Sequence, residues 1–157
     1  MFKKFLVPVD GSPSSMLAYR KAVELAKITG AEIVLLCVEF DVDHYARKGV
    51  LFARNYYKED ETKSRSTRIL AETRKNVDDQ ELPVSELILY GDPARKILEE
   101  AAKPGYDLIV MGSRGNKPFT GAVLGSVSQN ITASSIRPVL VVKDAQEKLQ
   151  EILQKES

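Results

Sequence analysis

Five short apolar runs punctuate the chain: Lys4 to Val9, Glu32 to Val38, Val84 to Leu89, Leu108 to Met111 and Val139 to Val142. Most are unbroken rather than alternating, the pattern of parallel strands covered on both faces. Between them lie stretches long enough for right-handed crossover helices. The pattern therefore predicts an α/β protein, a Rossmann-like doubly wound sheet of five parallel strands.

Local signals place the helices. Ser12 and Pro13 supply an N-cap and a first-turn proline, Gly30 supplies the stop, and Ala18, Ala22, Leu25 and Ala26 form one inward stripe. Asp92 and Pro93 repeat the start signal, with Ala94, Ile97, Leu98, Ala101 and Ala102 at helical spacing before the stop at Gly105. The last crossover begins near Gly125 and ends ahead of Pro138, which introduces the fifth strand. Residues 40–61 carry acids, aromatics and the lone His44 without a settled period, which predicts a loop entering a long helix. That helix is expected to run to about Asp79, with Ile69, Leu70, Thr73 and Val77 inward. Beyond Lys143, Ala145, Leu149, Ile152 and Leu153 share one side, which predicts an amphipathic tail that packs on its own domain or on a second subunit. The chain thus divides into one domain over residues 1–143 and a tail over 144–157.

Composition narrows the function. Lys and Arg number 23 against 22 acids, so the +1 formal charge offers no general attraction for nucleic acid or anionic lipid. No apolar segment approaches the length of a membrane span, and Pro8 and Asp10 interrupt the first run, so an untargeted cytoplasmic protein is expected. Cys37 lies inside an apolar run and reads as a small buried hydrophobe. With one histidine and one cysteine, no hydrolytic triad or His/Cys metal cluster can be assembled, and no catalytic residue is assigned.

The chemistry concentrates in DLIVMGSRGNKPFTGAVLGS, residues 107–126. This loop leaves an apolar strand and opens a helix, so its amides can surround an anion. Gly112, Gly115 and Gly125 are expected to adopt positive φ and to admit an oxygen where a Cβ would collide. Ser126 offers a hydroxyl, and Arg114 and Lys117 offer positive charge. The loop lacks the Gly-Lys-Ser/Thr of a Walker A motif, and the chain lacks the G-x-G-x-x-G of a dinucleotide fold. Asp10, at the end of the first strand, could accept from a ribose hydroxyl, help hold Mg²⁺, or bond local amides in its DGSP turn. The end of the second strand near Val38 could provide an apolar slot for an adenine ring.

Taken together these segments resemble the ATP-binding branch of the universal stress protein family. The resemblance rests on the opening strand with Pro8 and Asp10, the second strand ending in Val38, the Gly91-Asp92-Pro93-Ala94 helix start, DLIVMGSRG and the closing RPVLVVK. Its most diagnostic element is the spacing Gly-x2-Gly-x9-Gly-Ser at Gly112, Gly115, Gly125 and Ser126. It covers about residues 3–143 and implies a sheet of the adenine nucleotide alpha hydrolase-like kind with strands one and four adjacent. It further implies adenine near Val38, ribose or metal at Asp10, and phosphates along the glycine loop. The residues around the ligand would be Pro8, Asp10, Val38, Met111, Gly112, Arg114, Gly115, Gly125, Ser126 and Val127. The implied cofactors are ATP with Mg²⁺ or Mn²⁺. The implied assembly is a homodimer joined through Val139 to Val142, acting on a regulatory partner of unknown identity, with slow ATP hydrolysis at most.

Two other readings use the same fold. In one, the crevice is not used for nucleotide and the middle loop and tail recognise a protein partner. In the other, the chain is a phosphoacceptor receiver domain built on Asp10, Asp92, Ser113 and Lys143, although the paired acids expected after strand one are missing.

Overall fold

The computed structural model describes residues 2–39, 59–114, 124–143 and Gln154, with the side chains of the second segment described from Arg65 onward. Strands β1 (Lys4–Pro8), β2 (Glu32–Glu39), β3 (Val84–Tyr90), β4 (Leu108–Gly112) and β5 (Val139–Val142) begin where the apolar runs begin and end within one residue of them. Helices α1 (Pro13–Thr29), α2 (Glu59–Arg74), α3 (Pro93–Ala102) and α4 (Ser126–Ser134) lie between them. The five strands form one parallel sheet in the order β3-β2-β1-β4-β5, with Phe5 opposite both Ile33 and Leu108. That order excludes the receiver reading, because a flavodoxin-like receiver sheet runs 2-1-3-4-5.

Each face of the sheet has its own core. One packs Phe5, Val7, Ile33, Leu35 and Cys37 against Ala18, Tyr19, Ala22 and Ala26 of α1 and Leu70 of α2. The other packs Leu6, Leu36, Ile109 and Met111 against Ala94, Ile97 and Ala101 of α3 and Ile131 of α4. Residues on both faces of β1, β2 and β4 are buried, which is why those runs show no polar alternation.

Two expectations about the helices are corrected, one of extent and one of burial. The second helix ends at Arg74, not near Asp79, and Asn76 turns the chain through a left-handed φ of 62°. Asparagine tolerates that conformation, and the turn brings Asp79 back against the helix end. There Asp79 accepts from Arg74 Nε at 2.8 Å and from the buried Tyr19 hydroxyl, while Arg74 Nη1 reaches Glu86 at 3.2 Å. Thr73 and Leu70 are buried as expected, and Val77 still packs on the core from beyond the helix. In α3, Ala102 is exposed while Glu100 is buried, accepting from Tyr106 Oη at 2.8 Å and pairing with Lys103 at 2.6 Å. A partnered carboxylate satisfied in this way escapes detection by apolar periodicity.

Candidate functional site

The β1 and β4 neighbours carry crossovers that depart in opposite directions, which opens a crevice at their carboxyl ends. A cavity of about 550 Å³ occupies it. Pro8, Asp10, Val38, Met111, Gly112, Arg114, Gly125, Ser126 and Val127 all line this cavity. Gly115, Lys117, His44 and the tail, apart from Gln154, lie outside the described residues. Val9, Ser15, Arg65, Asp92, Pro93, Ile97 and Ser128 complete the lining.

The walls are built by serines that stitch two strand-to-helix turns together. Ser12 caps α1, accepting from Ser15 N at 3.2 Å, and its hydroxyl reaches the Arg114 carbonyl at 3.4 Å. Ser14 Oγ accepts from Arg114 N at 3.4 Å. Across the crevice Ser128 Oγ donates to the Ser113 carbonyl at 2.9 Å and to the Gly125 carbonyl at 3.0 Å, and Gly125 N donates to Ser113 O at 2.8 Å. Ser113 and Ser128 are buried and hold α4 against the end of β4. No hydrophobic pattern points to such residues, so the sequence reading missed Ser128 as part of the site.

The glycines work differently from the sequence expectation. Neither Gly112 nor Gly125 has positive φ; Gly125 has φ −63° and ψ 166° as the N-cap of α4. A Cβ on Gly112 would lie 2.6 Å from Ser14 Oγ and 2.7 Å from the Ser14 carbonyl carbon. Gly112 is therefore small because α1 crosses it, bringing Ser14 backbone against β4. At Gly125 the N-cap of α4 makes no side-chain hydrogen bond, and among the described residues no side chain caps the first-turn amides of Ser126, Val127 and Ser128, which line the cavity. The other helices that start at the cavity are capped by themselves: α1 by Ser12, and α3 by Asp92, whose carboxylate accepts from Arg95 N at 3.0 Å.

The charged groups are distributed along the crevice. Asp10 Oδ1 accepts from Ser12 N at 2.9 Å, so its carboxylate bonds a local amide and also lines the cavity. Arg114 stands at the β4 end and Arg65 at the β2 end. Behind Arg65, the buried Glu39 accepts from the buried Ser66 hydroxyl and lies 3.8 Å from Arg65 Nη1. Cys37 is buried beside this group, and desolvation together with the Glu39 charge pushes its thiol up to about 11. It is not a thiolate nucleophile at neutral pH. Arg65 escaped the sequence reading because its helix had no fixed position relative to β2 until the sheet order was known.

The universal stress protein family model matches residues 1–143. The chain belongs to the universal stress protein family. Among relatives of this universal stress protein, YxiE of Bacillus subtilis is 34% identical over 148 residues, covering 91% of this chain and 100% of YxiE. Among solved structures, MJ0577 of Methanocaldococcus jannaschii superposes with a TM-score of 0.75 at 28% identity, covering 91% of this chain and 96% of that one. A universal stress protein of Archaeoglobus fulgidus, solved in complex with dAMP, superposes with a TM-score of 0.67 at 19% identity, covering 91% of this chain and 100% of that one, a likeness of fold. No helix among the described residues is long and apolar enough to cross a membrane.

Proposed function

We propose that this universal stress protein binds an adenine nucleotide, ATP with Mg²⁺ or Mn²⁺, in the β1/β4 crevice and acts as a nucleotide-dependent regulatory homodimer of the cytoplasm. The observation that carries this reading is the uncapped start of α4 opening into a cavity large enough for a nucleotide. Two self-capped helices at the same cavity have already used their side chains on their own amides. The third leaves its first-turn amides and helix dipole for an anion.

The base belongs at the opposite end. From β4 to β2 is two strand spacings, roughly 10 Å, which suits the separation of a purine from its distal phosphates. Val38, Pro93 and Ile97 furnish apolar surface there, and Asp10 stands between the two ends where a ribose would lie. The dAMP complex of the Archaeoglobus fulgidus protein is in keeping with this ligand class on this fold.

The residues present fit a metal carried by the nucleotide. Mg²⁺ in phosphate sites keeps several waters and takes one or two protein carboxylates, and Asp10 supplies one such carboxylate at the crevice. When bound, the ion would neutralise phosphate charge beside that carboxylate. No cluster of three or more His, Cys, Asp or Glu side chains gathers among the described residues, so the phosphates are needed to complete the coordination.

Isothermal titration of nucleotide-stripped protein should show saturable ATP binding that strengthens with Mg²⁺. Heat signals no larger than dilution, for ATP and for AMP alike, would remove the reading. Dimer formation through Val139 to Val142 is supported by the edge position of β5 and by the exposed Leu140 and nearby Ile136. Leu140→Lys should convert the dimer to monomer in sedimentation velocity, and an unchanged sedimentation coefficient would place the interface elsewhere.

A further inference from the structure

We propose that Arg65 closes the base end of the crevice, its guanidinium plane lying against the nucleobase face and held in place by Glu39. This rests on the adenine-nucleotide reading and assigns a residue outside the glycine loop to base binding. Arg65 lines the cavity from α2 next to Val38, and its side chain is about half exposed, 53%. Among the described residues its charged partner is Glu39 at 3.8 Å, a separation beyond hydrogen-bonding range. The Glu39 charge thus attracts the guanidinium from behind, while about half of the side chain stays exposed at the cavity.

Two ligand groups could meet it there, a second anion or the base. The charges decide. Asp10 and Asp92 also line the cavity and Glu39 lies just behind Arg65, so the carboxylates of the crevice oppose an additional phosphate beside the cation. A neutral aromatic ring suffers no such repulsion. Guanidinium groups stack on bases as well as pairing with anions, and a carboxylate behind the guanidinium holds its charge at the crevice and leaves a face for the base. Glu39 is itself fixed by Ser66, so the platform is anchored to both β2 and α2.

Lysine lacks the plane but keeps the charge beside Glu39, which separates stacking from electrostatics and protects the fold. Titrate wild type, Arg65→Ala and Arg65→Lys with ATP and, as a base-free probe, with inorganic tripolyphosphate, both with Mg²⁺. ATP affinity should fall about tenfold in both variants, the size of a lost base stack, while tripolyphosphate binding changes less than twofold. ATP affinity equal to wild type in both variants would overturn the assignment. So would equal weakening of ATP and tripolyphosphate by Arg65→Ala with recovery in Arg65→Lys, which would make Arg65 a phosphate-attracting charge. Wild-type protein that binds tripolyphosphate but discriminates ATP from it by less than twofold would show an anion site without a base slot. Wild type that binds neither would sink the nucleotide reading itself.

Discussion

Helices α1 and α4 both start at the β1/β4 crevice, both follow a strand through a tight turn, and both are expected to attract an anion by their dipoles. Their first turns are used in opposite ways. At α1 the Ser12 hydroxyl occupies the Ser15 amide, and the Ser12 amide is bonded by Asp10, so the turn is closed on itself. At α4 the N-cap is Gly125, its amide and carbonyl are consumed by Ser113, Ser128 and Gln129, and among the described residues no side chain caps the amides that follow. The same strand-turn-helix unit is thus a structural joint on one side of the crevice and, under the proposed function, a receptor on the other. The difference lies in a single side chain at each N-cap. Gly112 sits between the two and belongs to the joint, because its missing Cβ is where Ser14 packs.

The largest effect on this comparison should come from Gly112→Val. Its side chain cannot fit without lifting α1 from β4, and overpacking against backbone should cost about 3 kcal/mol, read as a lowered urea midpoint. A midpoint within error of wild type would mean that Gly112 is a ligand glycine after all. Gly125→Asp should make α4 resemble α1 and α3, placing a carboxylate on its first-turn amides. ATP affinity should drop on the order of a hundredfold, the loss of charge-assisted bonds to phosphate, while the melting temperature holds or rises slightly. Retained ATP binding in that variant would show that the α4 start is not the phosphate receptor.

Asp79→Asn tests the rigid end of the same sheet, remote from either helix start. Its loss of charged hydrogen bonds to Arg74 and Tyr19 should cost about 2 kcal/mol at neutral pH. Burial pushes the Asp79 carboxyl upward, but the hydrogen bonds from Arg74 and Tyr19 outweigh it and hold the group below its ordinary value of 3.8. A carboxyl depressed in the folded state contributes fully above its unfolded pKa and loses that contribution as pH falls through the folded one. Wild type and variant should therefore converge in stability on acidification below about pH 4, as denaturant titrations across pH would record; parallel curves would refute the linkage. The smallest effect is expected from Ser12→Ala, a loss of about 1 kcal/mol for a missing cap, with ATP affinity changed less than twofold. An affinity loss matching that of Gly125→Asp would erase the distinction between joint and receptor.

Much of the architecture was legible because it depends on local chemistry. Unbroken apolar runs marked the strands to within a residue, and Ser12-Pro13, Asp92-Pro93 and Gly30 marked helix ends through capping rules that act within one turn. The misread end of α2 shows the limit: Asn76 permits a stop only weakly by itself, and the turn it allows is held by Asp79 reaching Tyr19 of another helix and Arg74 reaching Glu86 of β3. Arg137 is a similar case, its guanidinium donating to the Ala101 and Lys103 carbonyls at 2.9 and 3.1 Å and closing the end of α3 from the approach to β5.

The crevice divides along the same line. By itself the sequence determined a parallel α/β sheet, a glycine-serine helix start and the family to which both belong, since periodicity, capping and spacing are properties of neighbouring residues. Tertiary structure decided that β1 and β4 lie side by side and that Asp10, Val38 and Gly125 line one cavity. It also decided that Gly112 is small for the sake of Ser14, and that Arg65 faces the far end of the site. Those outcomes depend on which strands pair and which faces cover them, and pairing is fixed by the collective burial of both sheet faces rather than by any one segment.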